Sequence, residues 1–506
     1  MRKNEPFELV FENLPDGGEI RAEFSWGSEA KTVPGFYAGG GVYKVRFLPK
    51  AAGEYRWKVS GVVCAEGTEI CDDSDLPGMV KADGKAFRFE NGKLFHPFGT
   101  TVYALINQSD ELIEQTMQTL EKAPFNKIRM CVFPKDYDFN KNEPAYYPFE
   151  QDADGSWNPS RPVYAFWDAL DRHIVRLGEM GIQIDLILFH PYDRWGFDGM
   201  GLAKDKQYLS YLLRRLAAYP HIWWSLANEY ELTKRSQEEW DEIEAFVAEH
   251  DPYGHLLSCH NIFKIWDPNR PLTTHASIQG KDFPRLTSWV QRWNTPVMLD
   301  ECAYEGNLEH IWGCITGQEM TRRFWKAICS GAYCTHGETF YSDDDILWWA
   351  RGGVLKGESP ERIAFCRKIV ESLPGHLEGE LSFLHALLPL RDAPEAEQEK
   401  AIAQIAASNP MIAVVARAFL ASPEAESYAF CETAYNAHIG TDCYLHFYDI
   451  RPIGQEHLTL PEDRTYTIQV IDTWNMTIET VATGVSGAYV VKLPSRENIA
   501  MLALAE

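Results

Sequence analysis

Up to residue 75 the chain alternates apolar and polar positions in short runs: FELVFEN, EIRAEFSW, KTVPGFYAG, GVYKVRFLP and GEYRWKVSG, each bounded by Gly, Pro or Asn. Alternation with a period of two predicts strands buried on one face, and a series this regular predicts a small β-sandwich over residues 1–75. AAGEYRWKV has the form of the closing hairpin of an immunoglobulin-like module. An Asp-Asp-Ser-Asp cluster then leads into a linker over 76–86.

From Phe87 the rhythm changes. FRFENGKLFHPFGTTVYAL predicts a hairpin and then a buried strand; beyond it, apolar runs alternate with amphipathic segments such as DELIEQTMQTLEKA and WDALDRHIVRLGEMG. Eight candidate strands fall near 98–104, 127–133, 183–189, 222–228, 255–260, 271–276, 296–301 and 331–336. Strands apolar on both faces and separated by helices predict a parallel sheet, and eight such units predict a closed (β/α)8 TIM barrel over 87–375. The crossover from the fifth strand to the sixth is short and shows no helix. An open doubly wound sheet is the competing fold, but TVYALINQSD after the first strand is no glycine-rich phosphate loop. Residues 376–425, with EAEQEKAIAQIAA, predict a helical connector or an extension of the barrel. Strand signals return from Ser427 and predict a C-terminal β-sandwich over 426–506.

The chain has 506 residues, more than one hydrophobic core usually serves, in line with this division. Its 73 acidic and 48 basic residues leave a net charge of -25, which disfavours nucleic acid, anionic lipid and acidic polysaccharides as partners, although a local basic pocket would override the global field for the last. Sixteen Trp, 23 Tyr and 26 Phe suit a carbohydrate partner, whose C–H faces stack on aromatic rings, although large cores use aromatics too. No apolar run is long enough to span a bilayer, and MRKNEPFELVFENLP has no signal-peptide core. The eleven Cys show no metal-like pairing; Cys131, Cys259, Cys329 and Cys366 sit in apolar runs. These features predict a cytoplasmic protein acting on oligosaccharides or glycosides rather than polymer, with self-association through the β-domains as an option.

A TIM barrel carries its chemistry at the C-terminal ends of its strands. The polar residues expected there are Asn228 and Glu229 after strand four, Glu301 after strand seven, and His336 and Glu338 after strand eight. His190, Tyr192, Asp193, Arg194 and Trp195 follow strand three, His260 follows strand five, and His275 ends strand six. Strands four and seven lie across the mouth from each other, so Glu229 and Glu301 can flank one ligand. Retaining glycoside hydrolysis needs such a pair about 5–5.5 Å apart. Glu301 is then the nucleophile, expected to stay ionised, and Glu229 the general acid/base, expected to have a raised pKa. Asn228 can bond a sugar 2-hydroxyl, and Tyr304 can restrain Glu301. Strict alternation sends Asp300 to the face opposite Glu301, towards a helix or a loop. The other strand-end residues serve as substrate-binding candidates, with Glu338 the rival carboxylate. No cofactor is expected. A barrel metallohydrolase is disfavoured because His96 stands alone on strand one and no HExxH occurs. A non-catalytic carbohydrate-binding or assembly protein and a transglycosidase are the remaining alternatives.

ANE at 227–229 and LDE at 299–301 resemble the clan of (β/α)8 retaining glycosidases, whose acid/base follows an Asn on strand four and whose nucleophile ends strand seven. The order HPFGTTVYAL, KIRMCVFPK, LILFHPYDRWGF, WWSLANEYE and VIDTWNMTI resembles the apiosidase-like, DUF4038-type glycoside hydrolases with flanking DUF5060 and DUF5605 domains, along nearly the whole chain. The resemblance implies action on β-glycosides or their α-L equivalents and leaves the sugar open. Secreted relatives carry a signal peptide, and its absence here argues against polymer as substrate. The long aromatic loop between Lys135 and Ile184 favours a walled pocket and exo action.

Overall fold

The computed structural model describes residues 1–431 and 434–506. At its centre, eight parallel strands follow one another around a ring: β1 (Phe98–Thr101), β2 (Lys127–Cys131), β3 (Gln183–Phe189), β4 (Ile222–Ala227), β5 (Leu257–Ser258), β6 (Ala276–Gln279), β7 (Val297–Glu301) and β8 (Tyr333–His336). β8 pairs back onto β1, Phe98 against Cys334. Between β5 and β6 an isolated bridge from His260 to Ser277 and a hydrogen bond from Thr274 N to Leu257 O at 2.9 Å take the place of a regular ladder, so the barrel is nearly closed and thinnest there. The crossover at that point has no helix. The other seven connections carry α1 (Asp110–Leu120), α2 (Tyr164–Glu179), α3 (Leu202–Leu216), α4 (Gln237–His250), α5 (Leu286–Trp293), α6 (Gly317–Ile328) and, after β8, α7 (Ser359–Glu371). Helix starts follow local chemistry. Ser236 and Glu239 form a reciprocal capping box on α4, and Ser109 and Thr316 cap α1 and α6.

β6 begins at Ala276, five residues later than expected from the apolar run 271–276. That displacement matters for the site. The hairpin of Ala86–Phe89 and Leu94–Phe95 covers the N-terminal end of the barrel, where Phe87 packs on Trp223, His275 and Tyr333.

The N-terminal region is two antiparallel sheets packed through Phe24, Phe47 and Tyr55. Arg46 anchors it to the barrel, bonding both carboxylate oxygens of Asp171 on α2 at 3.0 and 2.7 Å. In the C-terminal region, a six-stranded antiparallel sheet lies against α6, with Trp325 on Phe447 and Arg322 bonded to Asn498 at 2.7 Å. The strand expected from Ser427 is instead helix, Ala425–Cys431. Its short AESYAF run packs against the helices Phe383–Leu387 and Pro410–Ala421, and that packing outweighs its weak alternation. No helix among the described residues is long and apolar enough to cross a membrane.

Candidate active site

Inside the barrel, inward side chains usually form apolar layers. Here they form a charged floor. Lys127 Nζ sits 2.9 Å from Asp185 and 2.8 Å from Asp300, and Arg129 Nε sits 3.1 Å from Asp185, all four side chains wholly buried. Asp300 also accepts from Ser277 at 2.6 Å and Thr335 at 2.8 Å. Burial opposes its charge, yet Lys127 and Arg129 hold its carboxyl far below the usual range. Burial likewise opposes the Arg129 charge, and Asp300 and Asp185 overcome it and raise its pKa. Asp300 therefore faces the barrel axis and not a helix. The reason is a bulge: Ile278 pairs with Leu299 but Gln279 with Glu301, which leaves Asp300 as an extra residue in β7. A bulge breaks the alternation of faces and re-aims side chains. Here it lets Asp300 and Glu301 both turn inward.

Above the floor is a cavity of about 450 Å³ lined by Tyr103, Lys135, Tyr137, Phe139, Tyr192, Asn228, Glu229, Gln279, Glu301, Tyr304, Trp312 and Trp349, among others. Glu229 enters it from the end of β4 with a left-handed backbone, φ 51° and ψ 57°. For a residue with a side chain this conformation is strained by about 1–2 kcal/mol. Its neighbours fix it, Asn228 N donating to Phe189 O and Tyr230 N to His260 O, both at 3.0 Å. The Tyr192 hydroxyl donates to Glu229.

Across the cavity, Glu301 accepts from the Tyr103 hydroxyl, which also lies 3.0 Å from Asn228 Oδ1. Arg129 spans the same gap, with Nη1 3.8 Å from Glu301 and Nη2 3.4 Å from Asn228 Oδ1. Tyr103 from the end of β1 and Arg129 from β2 thus tie the tips of β4 and β7 together. Burial pushes the Glu301 carboxyl up to about 8, and the nearby Tyr304 hydroxyl pulls it only partly back. This departs from the expected ionised Glu301, because β7 places the group deeper than a strand tip suggests. The Tyr304 hydroxyl itself has no hydrogen-bond partner of good geometry among the described residues.

Of the sequence candidates, Glu229, Glu301, Asn228, Tyr192 and Tyr304 meet around this cavity. The rest do not line it. Asp193 accepts from the backbone of Trp195, Gly196 and Asp198, holding its own turn. Arg194 pairs with Asp136 at 2.8 Å and Glu143 at 2.6 Å, and Trp195 bonds Glu143, so both brace a surface loop. His190 is buried against the Phe133 carbonyl, and burial pushes it down to about 3. His260 is buried as well, its ring nitrogens unpartnered among the described residues and its pKa far below normal through loss of solvent. Because β6 starts late, His275 precedes the strand instead of ending it. It sits at the barrel bottom between Phe87 and Trp223, where burial pushes it down to about 4. His336 and Glu338 face the helical layer: Thr335 takes the inward position, and His336 stacks on Phe125.

Sequence reasoning missed Tyr103, Arg129 and Lys135. Tyr103 obeys the strand-end rule and stood in plain view in TVYAL. Lys135 needed the structure: its ammonium lies 3.6 Å from the Tyr103 ring centre and 4.3 Å from that of Tyr192, the two tyrosines that hold the glutamates. Burial pushes it down to about 8, partly offset by Cys131 and Glu229.

The family model described as "Apiosidase-like, catalytic domain" matches residues 81–372, and the domains of unknown function DUF5060 and DUF5605 match 5–61 and 433–502. A solved structure from Bacteroides vulgatus ATCC 8482, described as a "putative glycoside hydrolase", is 31% identical with a TM-score of 0.85, covering 100% of this chain and 99% of that one. A glycoside hydrolase family 5 structure from the same organism is 14% identical with a TM-score of 0.61, over 85% of this chain and 93% of that one, a likeness of fold alone. No curated protein matches. With more than half its length under the catalytic-domain model, and a relative similar from end to end, this chain belongs to the apiosidase-like family of glycoside hydrolases.

Proposed function

We propose that the protein is a retaining glycosidase acting on β-glycosides, or their α-L equivalents, of small size, with Glu301 as nucleophile and Glu229 as general acid/base. One observation carries the reading: carboxylates from the ends of β4 and β7 line the same cavity, and Tyr103 touches both Glu301 and the neighbour of Glu229.

The Glu301 carboxylate attacks the anomeric carbon. As the bond to the leaving oxygen breaks, that oxygen takes the proton of Glu229, leaving a glycosyl ester on Glu301. Glu229, now ionised, takes a proton from water, whose oxygen attacks the same carbon and frees Glu301. Two displacements restore the original anomer. Asn228 stands beside Glu229, where it can meet the sugar 2-hydroxyl as charge develops. Tyr103 and Arg129 favour the Glu301 anion against burial. Tyr137, Phe139, Trp312 and Trp349 supply apolar walls for sugar faces. Because Tyr137 and Phe139 come from the loop after β2, that loop closes one side, which favours a pocket and exo action.

A panel of 2-deoxy-2-fluoro glycosides with activated leaving groups tests the mechanism. Inactivation should add one glycosyl mass to the peptide carrying Glu301. Glu229→Ala should lose about 10²–10⁴-fold on unactivated substrates and be rescued by azide on activated ones. Labelling elsewhere, or a product of inverted anomeric configuration, would overturn the assignment.

A further inference from the structure

Glu305 and Glu338 lie beyond the tips of β7 and β8, on two short parallel strands, Glu305–Gly306 and Glu338–Thr339, that pair them directly opposite each other. They are 2% and 1% exposed. Like charges in register repel, and carboxylates out of water need compensation. Among the described residues no Lys or Arg side-chain nitrogen lies within 4 Å of either carboxylate; the only basic side chain there is His336. Backbone amides supply part of the balance. Lys356 N donates to Glu338 Oε2 at 2.7 Å, and Glu358 N and Ser359 N, at the start of α7, donate to Glu305 at 2.7 and 3.1 Å. These donors are neutral and put no cation between the two carboxyl groups.

Two side-chain atoms of this glutamate–histidine group lack a partner among the described residues. Glu338 Oε1 and His336 Nε2 are buried without a hydrogen bond, 3.4 Å apart. That is close to the spacing of two ligands each about 2.1 Å from one ion at a tetrahedral angle. His336 Nδ1 lies 3.1 Å from Thr100 Oγ1, which also accepts from the Trp348 indole. With the Nδ1 proton given to Thr100, Nε2 presents its lone pair to the cluster, the usual arrangement behind a metal-binding imidazole. Donor atoms of Glu305, His336 and Glu338 all lie within 4.8 Å of one another. Gly357 caps the group, and a Cβ there would fall 2.5 Å from Glu305 Oε2 and 2.7 Å from Glu338 Oε1. The missing side chain keeps the space between the carboxylates clear.

We propose that Glu305, His336 and Glu338 bind a divalent transition-metal ion, zinc by its ligand set, which fastens the extensions of β7 and β8 to the start of α7. One nitrogen and two carboxylate oxygens suit zinc, and its two positive charges cancel the two carboxylates. The ion would be structural: the group faces the helical layer, away from Glu229 and Glu301. It would brace the strand that carries Glu301.

The full-length protein, produced in zinc-supplemented medium and desalted, is assayed by plasma mass spectrometry and thermal unfolding. Close to one zinc per chain is expected. A chelator should lower the melting temperature, and added ZnCl2 should restore it. Glu338→Gln should bring the content below about 0.2 per chain and abolish the chelator response. Wild-type protein that purifies without zinc, and whose melting temperature after chelator treatment is unmoved by ZnCl2 or MnCl2, would overturn the proposal. That wild-type result decides the matter even where Glu338→Gln fails to fold.

Discussion

Glu229 and Glu301 at the barrel mouth, and Glu305 and Glu338 behind it, are all buried glutamates at or just beyond strand ends, yet they are held in opposite ways. The first pair is gripped by tyrosine hydroxyls, Tyr192 and Tyr103, and faces a cavity. The second is gripped mainly by backbone amides and faces packed helix. A carboxylate beside open space can meet a substrate; one enclosed by amides and a histidine can only organise its surroundings. Burial and strand position are common to both pairs. What each carboxylate has left free separates a reactive group from a structural one.

The strongest attempt to break this contrast is Glu301→Ala. Hydrolysis of the best aryl glycoside should fall by on the order of 10⁴-fold or more with folding intact by circular dichroism. Near-normal turnover would dissolve the distinction. Tyr103→Phe removes one hydrogen bond to a charged group and should cost about 10–100-fold in kcat with little change in melting temperature.

A pH series sharpens the electrostatic side. A nucleophile must be ionised, and burial holds Glu301 at about 8, so kcat/KM should fall as pH drops below that value. For stability the sign is reversed. A raised pKa stabilises the fold fully below the ordinary value of 4.5, and that contribution is lost as pH rises through about 8. Glu301→Gln should therefore flatten the melting temperature between those limits. An acid limb of kcat/KM near 4–5 would mean that Tyr103 and Arg129 outweigh burial. The smallest effect is expected from Arg194→Ala, whose ion pairs are at the surface: kcat/KM should stay within about twofold. A larger loss would bring that loop into the site.

The hydrophobic pattern alone determined the eight-strand barrel and its flanking β regions, because apolar runs and helical periodicity are local properties. It also put Asn228 and Glu229 at the end of β4 and Glu301 at the end of β7, since those residues directly follow or close apolar runs. Direction was another matter. Asp300 turns inward beside Glu301 because of a bulge against β6, His275 falls to the barrel bottom because β6 starts late, and Glu229 enters the cavity on a left-handed backbone. Each depends on register with a neighbouring strand or on hydrogen bonds from distant residues. One residue of slip sends a side chain to the other face, so only the tertiary structure could decide which polar residues meet.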